Sequence, residues 1–371
     1  MLQNKIYTNF AIEIFKIFLL VLLTFSLIAL TVRAVNFLDL IVDSGYSVST
    51  YFKYSLLNLL GISVKFIPLS FLISLSFFVT KHLQDNEFLI LWTSGVKKIF
   101  LVKIFIFCSL SVSVLYLLFS TFLTPLALSK SRDILVSNNF NSFLPTVKTQ
   151  KFSDSFTGFT FFAEKKVENQ IKNIFIYDTG NNLKNLSPNI NKTNNNIIIA
   201  KSGLIENKKL FLNYGQIIST TNKNESRVIN FDQLLVNLNS LTTTTIKKTK
   251  IQETATLVLV NCFAKKQNTV FCNEDFKKEI VSTLNRRIIL PFYIPLIALI
   301  CALSLIKTNK IYLNKYLVFL YSFVLLVFTE LSIKYTGINN LIFYFFMILP
   351  FILFFLLYFF LTFKFSRELK I

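Results

Sequence analysis

Histidine is almost missing from this 371-residue chain, glycine is scarce and cysteine scarcer: there is one His, His82, with eight Gly and four Cys. A single histidine rules out a multi-histidine metal site, and Cys108, Cys262, Cys272 and Cys301 show no zinc spacing. A serine or cysteine hydrolase needs a base beside its nucleophile, and one histidine in a loop between apolar runs does not supply it. The glycines are dispersed and none precedes a lysine in phosphate-loop spacing, so no nucleotide cradle of that kind is present. Neither a cofactor nor catalysis is expected in this chain. Acidic residues are also few, 19 against 39 basic ones, for a formal charge of +20. The bases are spread along the chain with no nucleic-acid module, and the Lys, Asn and Ile excess fits A/T-rich codon bias, so no nucleic-acid partner is expected.

What the chain has in quantity is apolar surface: 53% hydrophobic residues, including 43 Phe. A span needs about 20 mostly apolar residues to cross roughly 30 Å of hydrocarbon as a helix. Six segments qualify: Phe10 to Val32, Ser55 to Thr80, Phe100 to Leu123, Ile288 to Ile306, Tyr312 to Ile333 and Leu341 to Phe363. The first is long, lacks a small-residue cleavage site and is flanked by Arg33 and Asn36, which reads as a retained span rather than a signal peptide. Between the third and fourth spans the composition turns to Asn, Lys, Ser and Thr. Short alternating runs lie there at Phe156 to Ala163, Ile171 to Tyr177, Asn196 to Ala200, Leu210 to Tyr214, Gln216 to Thr220 and Arg227 to Phe231. Ile251 to Cys262 reads either as a last strand or as the start of a connecting helix, and Asp275 to Leu284 as helix. The expected fold is an α-helical membrane protein of six transmembrane helices, three plus three, with an inserted all-β, jelly-roll-like domain. Residues 1–124 carry the first three helices, 125–285 the β domain and 286–371 the last three.

Basic residues near the spans set the orientation. Twelve lie on one side (Lys5, Lys16, Lys81, Lys97, Lys98, Lys103, Lys307, Lys310, Lys315, Lys364, Arg367 and Lys370) against six on the other (Arg33, Lys53, Lys65, Arg286, Arg287 and Lys334). Both termini are therefore expected inside and the large domain outside, and a bacterial periplasm there would permit a disulfide between Cys262 and Cys272.

The inside connection KHLQDNEFLILWTSGVKK, Lys81 to Lys98, holds an apolar run between an acidic start and a basic end, with Gly95 as a helix stop. Its helix could insert Phe88, Leu91 and Trp92 into a groove on a partner, or lie on lipid headgroups with Trp92 in the aromatic belt; the residues leave both open. Arg33, Lys65, Arg286, Arg287, Glu330 and Lys334 fall toward the outer ends of spans. Five of these are basic, which suits an anionic ligand such as a phosphorylated lipid, while snorkelling explains any one of them singly. Glu330 and Lys334, four apart, are able to pair along one helix face. Asp39 and Asp43 in NFLDLIVDSG read as a structural turn. Pro291 and Pro295 either kink the fourth span or only pack within it.

Four stretches resemble the LptF/LptG permease family, the membrane subunits of the bacterial lipopolysaccharide exporter: TVRAVNFLDLIVDSG, PLSFLISLSFFVTKHLQDNEFLILWTSG, LNRRIILPFYIPLIALICALSL and ELSIKYTG. The three-plus-three division around an external β domain extends the resemblance over nearly the whole chain, and the LNRRI stretch and the region of Lys334 are closer to LptF than to LptG. The resemblance implies a permease half that pairs with its paralogue, LptG or LptF, and recruits a cytoplasmic LptB ATPase dimer, which uses the ATP. It also implies that lipopolysaccharide passes through the β domain to LptC and LptA. Arg33 would then meet lipid phosphates, with Lys65, Arg287 and Lys334 as further basic contacts. Glu87, Phe88, Leu91, Trp92 and Gly95 would form the coupling helix, about residues 83–95. Two other classes remain: a secondary transporter or channel, and a membrane scaffold or sensor with a ligand-binding external domain.

Overall fold

A computed structural model of the chain describes residues 2–42, 46–138, 149–156, 158–167, 169–179, 193–206, 209–221, 226–237, 250–264, 272, 274–306, 311–338 and 340–367. Asp43, Lys307, Lys310 and Lys370 lie outside them. Among the described residues six helices are long and apolar enough to cross a membrane: Lys5–Phe37, Val48–Gln84, Lys98–Leu135, Phe276–Leu305, Tyr316–Thr336 and Leu341–Arg367. With the antiparallel sheet in the middle of the chain they give the expected class, a helical membrane protein with an inserted β domain.

The helical elements before the sheet are α1 (Leu2–Phe37), α2 (Asp39–Val42), α3 (Val48–Gln84), α4 (Glu87–Thr93), α5 (Lys98–Leu118) and α6 (Thr124–Asn138). After it come α7 (Thr256–Phe263), α8 (Glu274–Leu284), α9 (Ile294–Ala302), α10 (Ile311–Thr336) and α11 (Asn340–Arg367). Ile251 to Cys262 is thus not a strand: a short 3-10 turn, Ile251–Glu253, leads into α7. The third span passes from α5 to α6 through a widened π-type turn, Phe119–Leu123. A second such turn, Asn285–Ile289, opens the fourth span and runs into a 3-10 turn, Leu290–Tyr293, before α9. Pro291 falls inside that 3-10 turn and Pro295 in the first turn of α9, where their missing N–H groups cost least.

Contacts divide the chain into two compact units, one of residues 1–31, 57–129 and 250–371 and the other of residues 32–56 and 130–249. In the first, Phe71, Phe78, Phe88, Phe105 and Tyr293 are among the large side chains that fill the core where α3, α4, α5 and α9 meet. A smaller cluster holds Ile251, Leu259, Ile280 and Leu284, beside which the sulfurs of Cys262 and Cys272 are bonded with Cα atoms 5.3 Å apart.

The second unit contains the sheet, a six-stranded antiparallel meander in the order β1 (Ser153–Phe156), β2 (Phe159–Val167), β3 (Gln170–Asp178), β4 (Thr193–Glu206), β5 (Lys209–Thr221) and β6 (Ser226–Asn237). Alternation sends Phe161, Ile176, Ile198 and Ile217 to one buried face, aligned across consecutive strands. The expected strands Leu210 to Tyr214 and Gln216 to Thr220 are one continuous β5, so Gly215 is not a break between them. It stands opposite Ala200 on β4 and Phe231 on β6, and a Cβ there would collide with the Ile199 carbonyl and the Phe231 ring. Glycine is needed because neighbouring strands and a ring approach the backbone closely. A Gly215→Val substitution should destabilise the sheet by about 1–3 kcal/mol, the usual cost of overpacking. Limited proteolysis of the full chain in detergent should then cut faster within residues 193–237.

Candidate functional site

The helix after the second span is only seven residues long, and its ends are sharply defined. Asn86, in the left-handed region at φ 57°, turns the chain out of α3, and its carbonyl accepts from Ile90 at 3.1 Å. At the other end the Gly95 N–H donates to Trp92 O at 3.1 Å and the Val96 N–H to Leu91 O at 3.0 Å, a Schellman closure for which Gly95 supplies φ +91° without steric cost.

Phe88 is fully buried, its ring 6.1 Å from those of both Phe10 and Phe78, and it is part of the bundle core. This corrects the expectation that Phe88 inserts into a partner: periodicity identified an apolar stripe, but the bundle claims Phe88 and half-buries Leu91 and Trp92. Trp92 stacks beyond Phe88 and carries the Lys98 ammonium 4.8 Å above its ring. The face left outward is Glu87, Leu89 and Ile90, the last two 51% and 63% exposed.

Glu13, which sequence reading passed over, and His82, which it placed in a loop but which belongs to the last turn of α3, complete this end of the bundle. Glu13 on α1 pairs with Lys81 at 2.8 Å, and His82, at the end of α3, lies within 3.3 Å of both Glu13 and Glu87. The signal for Glu13 was available: it is the one carboxylate of α1, and a carboxylate within a largely apolar span is costly to place and seldom idle.

The basic residues divide into two kinds. Arg287 is buried, and its guanidinium donates to the Gln252 carbonyl at 2.8 Å, the Thr254 carbonyl at 3.0 Å and the Thr256 hydroxyl at 2.9 Å. Its donors hold the returning chain to the fourth span. Neighbouring Arg286 pairs with Glu330 at 2.6 Å, so the ion pair of Glu330 reaches across to Arg286. Arg33, on the last turns of α1, is exposed, as are Lys65 on α3 and Lys334 on α10. Next to Arg33, the Ala34 carbonyl accepts from the Tyr51 hydroxyl at 3.0 Å, which ties the end of α1 to the start of α3 within the second unit. Arg33 belongs to that unit and Lys65, Arg287 and Lys334 to the first.

Residues 10–364 match the family described as lipopolysaccharide export system permease LptF/LptG. The chain belongs to that family. A permease of the LptF/LptG family is a multi-pass inner-membrane transport protein rather than an enzyme. The chain is also similar to an uncharacterized protein of Rickettsia prowazekii (strain Madrid E), 24% identical over 283 residues, which are 74% of this chain and 75% of that protein.

Within this LptF/LptG-family chain, Arg287 is expected to stabilise rather than to bind. Arg287→Ala removes a buried, charged donor from two part-buried carbonyls and a hydroxyl, and should cost about 1–3 kcal/mol. The midpoint of thermal unfolding of the full chain in detergent should fall accordingly.

Proposed function

We propose that this chain is one half of the permease of an ABC-type lipopolysaccharide exporter, paired with a paralogous LptF/LptG half and driven by an LptB ATPase dimer on the cytoplasmic side. The match to the family over residues 10–364 carries the reading. The lipid is extracted from the inner membrane and handed through the β-sheet unit to the periplasmic proteins LptC and LptA. Both termini are cytoplasmic and the sheet is periplasmic, in keeping with twelve basic residues against six on the two sides.

In this reading α4 is the coupling helix. Its outward residues, Glu87, Leu89 and Ile90, meet the ATPase, and Phe88 is the root through which movement enters the spans. A close-packed core transmits displacement because it cannot compress, so a shift at Phe88 reaches Phe10 on α1 and Phe78 on α3 directly. Exposed Arg33 offers a planar fork of donors to a lipid phosphate, with Lys65 and Lys334 as further basic contacts. The ATPase cycle performs transport work only if the lipid binds differently in the two states of the permease.

Two substitutions test the halves of this reading separately. Glu87→Lys reverses the charge at the first residue of α4 and should reduce both co-purification of the ATPase in mild detergent and export; unchanged association would remove α4 from the coupling role. Arg33→Glu should reduce photocrosslinking of lipopolysaccharide to the permease while leaving assembly intact, and undiminished crosslinking would exclude Arg33 as a lipid contact.

A further inference from the structure

His82 is 1% exposed, boxed by the rings of Phe78, Phe10 and Phe88 at centroid distances of 4.2, 5.1 and 5.4 Å. Its Nδ1 lies 3.1 Å from the Phe78 carbonyl. A carbonyl only accepts, so Nδ1 bears the hydrogen. The other nitrogen, Nε2, lies 3.3 Å from Glu13 Oε2 and 3.3 Å from Glu87 Oε2. Carboxylates also only accept, so a neutral ring with its hydrogen on Nδ1 would direct a lone pair at two negative groups. The imidazolium alone donates to every partner this geometry provides.

The charged groups around the ring come from four elements. From α1 comes Glu13, from α3 Lys81, from the turn before α4 Asp85, and from α4 Glu87; on α5, Lys98 is turned to the Trp92 face. With His82 protonated, two positive charges answer three negative ones. Without that proton Lys81, already held by Glu13 Oε1 at 2.8 Å, is the one cation among the described residues named here that answers all three.

We propose that His82 is a positioning residue for α4. Its protonated ring ties Glu87, the first residue of that helix, to Glu13 on α1, and loss of the proton releases the first turn of α4. The placement of α4 then depends on that proton. The consequence for ATPase coupling rests on the role given to α4 above; the bridge itself does not.

The composition provides two clean probes, because the chain has one histidine and one tryptophan, and the tryptophan, Trp92, is on α4. In the full chain in lipid nanodiscs, nitrogen-15-labelled histidine reports the His82 ring, and acrylamide quenching of Trp92 reports the packing of the helix, both followed from about pH 5 to about pH 9. Quenching should rise as the ring loses its proton, with the same midpoint in the two measurements. In His82→Gln, which keeps one amide donor but does not titrate, the Trp92 transition should be lost. Midpoints that differ in the unmodified chain, a flat Trp92 response, or a transition that persists in His82→Gln would each overturn the proposal. The comparison of midpoints needs no variant to fold. No ATPase is present in either measurement, so failure to recruit one bears only on the coupling role of α4.

Discussion

A carbonyl oxygen in hydrocarbon has no water to accept from, and the backbone of all six spans answers to that constraint. Regular helix satisfies it within each segment. Where the third and fourth spans widen into π-type turns, at Phe119–Leu123 and Asn285–Ile289, the backbone of the fourth turns to side chains of the third. The Tyr116 hydroxyl donates to the Arg286 carbonyl at 3.0 Å and Ser120 to the Arg287 carbonyl at 3.1 Å. The Arg287 side chain then reaches to the segment returning from the sheet, where the Thr256 hydroxyl accepts from it and donates onward to the Thr121 carbonyl at 2.8 Å. One hydroxyl used as both acceptor and donor closes the circuit. The place where the chain re-enters the bundle is therefore set by polar matching as much as by apolar packing.

That circuit also marks how far the sequence could be read. The spans were legible because apolar length is a property of each segment alone, and the strands because alternation is. Arg33 and Arg287 look alike as basic residues near span ends, yet one is exposed and the other is taken up by carbonyls about 33 to 35 residues away. Nothing local distinguishes them. Gly215 misled for the same reason: its local signal is that of a breaker, while its actual requirement comes from Ile199 on one neighbouring strand and Phe231 on the other. On α4, spacing identified the apolar residues but could not say which of them the bundle would keep.

The shortness of α4 gives its anchors their importance. A seven-residue helix does not hold its own shape in isolation, since nucleation cost exceeds what so few bonds return. Its geometry is imposed from outside, and the supports differ in kind. Phe88 is held by ring packing and Gly95 by backbone conformation, and neither of these carries a charge. Glu87 is held through His82, whose attraction depends on a proton. Loosening the one adjustable support frees the first turn and its outward carboxylate first, and in so short a helix the loosening extends to Trp92 one turn on. The same carboxylate faces inward to His82 and, 49% exposed, outward to any partner. A partner that draws Glu87 toward itself must compete with His82 for it, so binding outside and bridging inside are coupled through one side chain.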